Sequence, residues 1–126
     1  GLDLSLESDS HVMKRTVPLV PDSKGFEGVS AAEKGDKNAT VYIGEGCWGA
    51  PLRAADDAKP WTLDTDSFNG IDWIRVSPED IQVKTAKVKN VAKVRQIDPK
   101  RPFENPDGLQ LWDAKGGEVL VVAADR

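Results

Sequence analysis

Residues 71–88 read IDWIRVSPEDIQVKTAKV, two runs of strand-forming residues on either side of a short polar turn. Ile, Val, Trp and Thr are enriched in β-strands, and the Ser-Pro-Glu-Asp segment at residues 77–80 contains residue types that favour turns. Two such runs usually pair as an antiparallel hairpin. The pattern predicts strands over residues 71–76 and 81–88, the second continuing to Val94 after a break near Asn90.

Further strand-like segments lie on both sides of this hairpin. Leu2, Leu4 and Leu6 alternate with polar residues, the period of two that marks a half-buried strand. Other strands are predicted over residues 12–20, 40–43, 109–112 and 118–122, the last two as a terminal hairpin.

The segments between these strands are more polar. Pro18 and Pro21 restrict residues 12–20 to an edge strand or a loop. Residues 22–38 are predicted to form a surface loop with a short helical turn around residues 30–34, and residues 52–70 a polar connection.

The pattern as a whole predicts a mainly β protein, α+β at most. We expect about seven antiparallel strands that form a sheet or a sandwich, the C-terminal half of a layered domain.

Composition narrows the class of protein. The chain has 126 residues, 39% hydrophobic and 30% charged, which is typical of one small folded soluble domain. The net charge of -4 argues against a nucleic-acid partner, because such proteins usually have a basic excess. No apolar run approaches the ~20 residues of a membrane-spanning helix, so no membrane partner is expected. Cys47 is the single cysteine, so an internal disulfide is excluded.

A candidate metal site follows the first predicted strand. His11 is the only histidine of the sequence, and Asp9 lies two positions before it. In an extended loop, residues two apart point the same way, so both side chains would face one pair of metal ions. The alternative is a loop histidine without a ligand role, since Asp-x-His often occurs by chance.

Residues 6–19, LESDSHVMKRTVPL, resemble the last metal-binding motif of purple acid phosphatase-like and calcineurin-like metallophosphoesterases. That motif runs roughly Gly-His-x-His-x-Tyr-x-Arg-Thr-x-Pro after a hydrophobic strand. Ser8, Asp9, His11 and Met13 stand at its Gly, two His and Tyr positions, and the direct matches are Arg15, Thr16 and Pro18. Residues 40–46 resemble the family's next strand and its glycine-rich loop, and residues 68–85 resemble its closing hairpin.

The resemblance implies roles for particular residues. His11 would bind one ion of a metal pair (Fe, Mn or Zn), and Asp9 would replace the histidine that binds the other. The residues implied on the substrate side are Arg15, Gly44, Glu45 and Gly46. From the residues alone, a structural ion pair or a surface role is favoured for Arg15, and residues 44–49 are equally compatible with a tight turn. The implied reaction is hydrolysis of a phosphate ester, in which the metal pair activates water and stabilises the phosphoryl charge.

The resemblance covers only part of such an enzyme. The sequence enters a strand at once after Gly1, without an initiator methionine. We therefore expect residues 1–94 to be the C-terminal part of a layered metallophosphoesterase domain, and residues 95–126 a terminal β extension. The family's other ligands would lie in a preceding catalytic half. The isolated chain would then hold metal poorly or not at all and be inactive alone. Its compartment stays open, with the periplasm or secretion as candidates for the parent.

The predicted fragment should also associate with itself. Half of a layered domain would leave an apolar sheet face uncovered, and such faces are usually covered by self-association. We therefore expect a homo-oligomer.

Two other functions are compatible with the sequence. A self-contained β-sandwich module that binds a ligand or a protein predicts a closed core and tryptophans grouped on one exposed face. A structural β extension predicts a large apolar interface and no site.

Overall fold

The computed structural model describes residues 2–44, 48–56, 58–88 and 94–124. Within these ranges the chain forms β-strands and no helix, which confirms the predicted mainly β class. The strands are β1 (Leu4–Glu7), β2 (Met13–Thr16), β3 (Leu19–Phe26), β4 (Val29–Ala31), β5 (Val41–Gly44), β6 (Thr62–Asp66), β7 (Gly70–Val76), β8 (Asp80–Lys87), β9 (Gln110–Leu111) and β10 (Val119–Ala123). Nothing helical in the described part has the length and apolar character that a membrane span requires.

The first sheet has the strand order β1-β5-β2-β6. β1 is parallel to β5, whereas β2 is antiparallel to both of its neighbours. β5 therefore lies between two strands that follow each other in the sequence. Glu7 and Lys14 both pair with Gly44, so the loop of residues 8–12 has to cross the end of β5. That crossing spans about 10 Å, two strand spacings.

The second sheet has the order β10-β8-β7, and β9 also pairs with β8. The predicted hairpin is confirmed: β7 and β8 pair antiparallel from Gly70 opposite Lys87 to Val76 opposite Ile81. Gln82 Nε2 and Ser77 Oγ donate hydrogen bonds of 2.8 Å to the carboxylate that opens β8. These bonds lower the pKa of Asp80 and fix the turn.

The two sheets cover each other's inner faces. Val41 and Ile43 of β5 pack against Val83 of β8, which is fully buried. The half-buried residues around this cluster come from both sheets, namely Leu4, Ile74, Ile81, Leu120 and Val122. The result is a β-sandwich whose inner faces are closed, and among the described residues the uncovered apolar face expected for half of a layered domain is not observed.

A second core cluster joins the first sheet to the C-terminal segment. It contains Met13 of β2, Trp112 and Ala114, with Phe68 packed against it. A Cβ on Gly70 would lie 2.8 Å from the backbone carbonyl oxygen of Ala86 and 2.7 Å from Met13 Cε, closer than real Cβ contacts, and the backbone oxygen cannot move aside as a side chain can. Glycine is therefore required where β7 begins.

Three sequence-based assignments were wrong. Residues 22–38 contain no helical turn; instead β3 and β4 form a hairpin whose connecting residues, Glu27 and Gly28, have positive φ angles of 52° and 84°. Such a pair suits the two-residue turns of hairpins. β6 lies within the predicted polar connection.

The third wrong assignment is the predicted terminal hairpin of residues 109–112 and 118–122. β9 and β10 do not pair with each other, because each pairs with a different half of the long strand β8. Positive φ angles of 90° at Gly116 and 102° at Gly117 turn the chain between them. The residues predicted as an extension thus complete the second sheet. The predicted continuation of β8 falls on residues 89–93, outside the described ranges.

Candidate functional site

The two segments with predicted functional residues meet at one edge of the first sheet. The loop of residues 8–12 leaves β1 at Glu7, and the glycine-rich segment leaves β5 at Gly44, its partner in register. Because β1 and β5 are parallel, their carboxyl ends lie at the same edge. The metal candidates and Gly44 are therefore neighbours, while Glu45 and Gly46 lie outside the described residues.

His11 is oriented by the chain that follows β5. Its Nδ1 lies 2.8 Å from the carbonyl oxygen of Pro51, and Arg53 N donates to the carbonyl of His11 at 3.4 Å. A carbonyl oxygen only accepts hydrogen bonds, so Nδ1 carries the proton in the neutral ring. The lone pair is then on Nε2. Metal-binding histidines commonly have this arrangement, with one ring nitrogen fixed by a carbonyl and the other on the metal.

The backbone around His11 is not extended. Asp9 has φ 85° and His11 has φ 59°, both in the left-handed region. The prediction that the side chains of Asp9 and His11 point the same way assumed an extended loop. The observed backbone does not have that conformation. Left-handed conformations cost roughly 1–2 kcal/mol for residues with a Cβ, and they concentrate at functional sites.

The metal candidates provide few donors. Asp9 is exposed and His11 half-buried. In the described part of the chain no three residues of the types His, Cys, Asp and Glu gather into a group that could hold a metal ion. A stable site usually has four or more donors, so these two would form only part of one.

Arg15 lies between the two sheets and is 2% exposed. Its Nη1 donates to Gly117 O at 3.0 Å and its Nη2 to Thr85 Oγ1 at 3.3 Å. Thr85 Oγ1 in turn donates to Asp72 Oδ1 at 2.6 Å. The guanidinium carbon lies 5.1 Å from the centroid of the Trp112 ring. Arg15 therefore connects β2 directly to β8, through Thr85 to β7, and through Gly117 to the C-terminal segment.

The electrostatics of Arg15 reflect this burial. Burial lowers the pKa of its guanidinium, and the carboxylates of Asp72 and Asp64 act in the opposite direction. Its Nε is buried and has no hydrogen-bond partner within the described ranges. The contact between Arg15 and phosphate stays a prediction. The observed hydrogen-bond partners of its guanidinium are Thr85 in the second sheet and Gly117 in the C-terminal segment.

A cleft of about 260 Å³ opens on the outer face of the first sheet. One wall is the sheet itself, and the other is formed by the β3–β4 hairpin and the segment before β6. The residues that matter most for its chemistry are Glu7, Lys14, Tyr42, Gly44, Lys59 and Trp61. Arg15 also borders it, although its guanidinium is bonded on the opposite face of the sheet.

Gly44 links the cleft to the loop of His11. A Cβ at Gly44 would lie 3.4 Å from the Cβ and Cε atoms of Lys14, so the absence of a side chain leaves room for the lysine stem. Gly44 thus borders the cleft while its register partner Glu7 opens the loop.

Most of the cleft residues have no motif in the sequence that marks them as functional. Alternation along β2 and β5 was the available signal, because it places Lys14, Thr16 and Tyr42 on one face. Lys59 and Trp61 come from the segment predicted as a connection. Their position depends on β6, which the sequence did not indicate.

The four tryptophans do not share one face. Trp48 is 65% exposed, Trp61 borders the cleft, and Trp112 is buried in the core. Trp73 contacts Phe103, with ring centroids 5.3 Å apart. The exposed tryptophan face expected for a binding module is therefore not present.

Comparisons with protein-family models, with curated proteins and with solved structures give no match for this chain. What the site does has to be inferred from its own residues.

Proposed function

We propose that this chain is the C-terminal part of a two-metal phosphoesterase, and that His11 and Asp9 are ligands at its metal pair. The observation that carries the proposal is the hydrogen bond between His11 Nδ1 and Pro51 O. It fixes the imidazole and leaves Nε2 as a metal donor at the carboxyl end of β1.

The donor set fits a hard or borderline metal. A carboxylate and an imidazole suit Fe, Mn and Zn, the metals proposed for the pair. When bound, such a pair lowers the pKa of water and stabilises phosphoryl oxygens during hydrolysis of a phosphate ester. Because two ligands are fewer than a stable site needs, we propose that the others come from a catalytic half outside this chain.

The remaining residues of the site have supporting roles. The bond from His11 Nδ1 orients the ring, and the buried Arg15 fixes β2, which receives the loop of residues 8–12. Gly44 keeps the end of β5 free of a side chain beneath that loop. We propose that Gly44, Glu45 and Gly46 border the substrate there.

Metal titration tests the ligands directly. Because the sequence has a single histidine, one imidazole is observed by NMR. Zn²⁺ should shift its signals weakly, and Mn²⁺ should broaden amides around Asp9 and His11. The variant His11→Ala should lose both effects, whereas the control Asp98→Asn, at an exposed carboxylate far along the chain, should keep them. Broadening centred elsewhere, or unchanged in His11→Ala, would refute the ligand assignment.

The coding sequence ahead of Gly1 tests the class of enzyme. The proposal expects an upstream segment with the family's Asp-x-His and Gly-Asp motifs, which would supply the other ligands. A start codon immediately before Gly1 would contradict it.

A second candidate is a self-contained β-sandwich module that binds a small ligand or a protein. The closed inner faces and the cleft on the first sheet favour it. Unlike the phosphoesterase proposal, this candidate predicts ligand binding that does not depend on metal or on His11.

A further inference from the structure

We infer that the cleft on the outer face of the first sheet binds a single saccharide ring, with Trp61 as the stacking surface. The cleft adjoins the His11 loop at Glu7 and Gly44, but the inference uses neither His11 nor a metal and does not depend on the phosphoesterase proposal. Its volume of about 260 Å³ lies just below the usual range for small-molecule pockets, which suits one ring rather than an extended ligand.

The charges of the cleft select the class of ligand. Its walls contain two carboxylates, Glu7 and Glu27, and two ammonium groups, Lys14 and Lys59; Arg15 also borders it, but its guanidinium is bonded to Gly117 and Thr85 on the opposite face of the sheet. An anion would be attracted by the lysines and repelled by the glutamates, and a cation the reverse. Hydroxyl groups both donate and accept hydrogen bonds, so a neutral polyol matches donors and acceptors together without adding charge.

Two threonine hydroxyl groups add further hydrogen-bonding atoms to the cleft. Thr16 and Thr62 border the cleft as cross-strand partners of β2 and β6. Thr16 Oγ1 accepts a hydrogen bond of 3.0 Å from Tyr42 N, which holds it at the floor. The floor is therefore polar, while the Tyr42 and Trp61 rings provide flat apolar surface.

The tryptophan wall is rigidly placed. The carbonyl of Trp61 accepts a hydrogen bond from Val17 N at 2.9 Å, which attaches this segment to the chain after β2. Its ring is supported by Phe26, with centroids 5.4 Å apart. Lys59 Nζ lies 5.6 Å from the Phe26 centroid and 3.6 Å from Glu27 Oε1. A preformed aromatic surface loses little entropy when a ring stacks on it.

NMR titration of the whole chain with methyl pyranosides tests the inference. Amides of Lys14, Tyr42, Gly44 and Thr62 should shift and saturate at millimolar concentrations, and the total tryptophan fluorescence should change with the same affinity in the unmodified chain but not in Trp61→Phe. Trp61→Ala should weaken binding about tenfold or more. Trp61→Phe, which keeps an aromatic ring, should retain part of the affinity and serves if the alanine variant does not fold.

The matched control is Trp73→Ala. Trp73 also contacts a phenylalanine, Phe103, and a lysine, Lys84, but in the second sheet and away from the cleft. Its substitution should leave saccharide binding unchanged within about twofold.

Two results would overturn the inference. One is saturation by inorganic phosphate or sulfate at the same amides with no response to pyranosides, which would make the cleft an anion site. The other is no saturable shift at the cleft with any pyranoside of the panel. Either result would leave the metal titration of His11 unaffected, so the two proposals fail independently.

Discussion

At the scale of single residues, Arg15 has the structural role that its residue type favours, while the phosphate contact implied by the motif stays a prediction. Its match to a phosphatase motif indicated a phosphate contact, yet its guanidinium lies between the sheets and bonds to Gly117 and Thr85. A buried cation of this kind is retained only where hydrogen bonds and nearby carboxylates compensate its desolvation. Arg15 therefore holds the two sheets of the sandwich together through its hydrogen bonds.

Arg15→Lys should destabilise the chain by about 1.5–3 kcal/mol, because an ammonium cannot replace the planar fork that reaches two acceptors. Urea denaturation followed by fluorescence measures the loss. The control Arg75→Lys, on the exposed side of β7, should stay within about 0.5 kcal/mol. Equal stability of the two variants would show that the buried hydrogen bonds contribute nothing measurable.

At the scale of elements, the β7–β8 hairpin organises the second sheet. β8 pairs with β7 along one side and with β9 and β10 along the other. Its inward residue Val83 is fully buried against β5, whereas Val76 at the end of β7 is 72% exposed. The same residue type therefore occupies the most and one of the least buried positions of a single hairpin.

Val83→Ala should lower the free energy of unfolding by about 1–3 kcal/mol, from lost burial and the cavity that remains. Val76→Ala should change it by less than about 0.5 kcal/mol. Both values come from the same denaturation experiment. A similar cost at the two positions would mean that the sheets do not pack as described.

The hairpin also shows how far sequence reasoning reached. Residues 71–88 were assigned correctly because two β-rich runs flank a turn, which is local information. β6 and the pairing of β9 and β10 with β8 were missed, because they depend on partners distant in the sequence. For the site, the proximity of His11 and Gly44 follows from strand register, whereas the bond to Pro51 follows from a loop that no pattern predicts.

At the scale of the whole molecule, exposed apolar residues occur on the edge strands of both sheets. Leu6 on the edge strand β1 is 60% exposed and Ile71 on β7 is 42% exposed. A small cavity lies between these two strands, bordered by Leu6 and Ile74. Edge strands offer unpaired backbone groups to another strand. Self-association stays a prediction, and we propose these edges, rather than an uncovered sheet face, as its contact surfaces.

Leu6→Lys should shift the isolated chain towards monomer, because a charge on an edge strand opposes pairing with another strand. Size-exclusion chromatography with light scattering reports the mass. Leu52→Lys, an exposed loop position that is 45% exposed, should behave like the unmodified chain. A monomeric unmodified chain would remove the basis for this prediction.

The position of β5 has a consequence for how the protein is made. β1 and β2 are translated first, but each pairs with residues 41–44, which arrive later. Contacts between residues distant in sequence form slowly, since a long loop must close first. In a nascent chain that ends before Val41, the segment that contains His11 would therefore have no folded sheet to hold it. The observed position of the His11 imidazole can therefore form only after β5 has been inserted between β1 and β2.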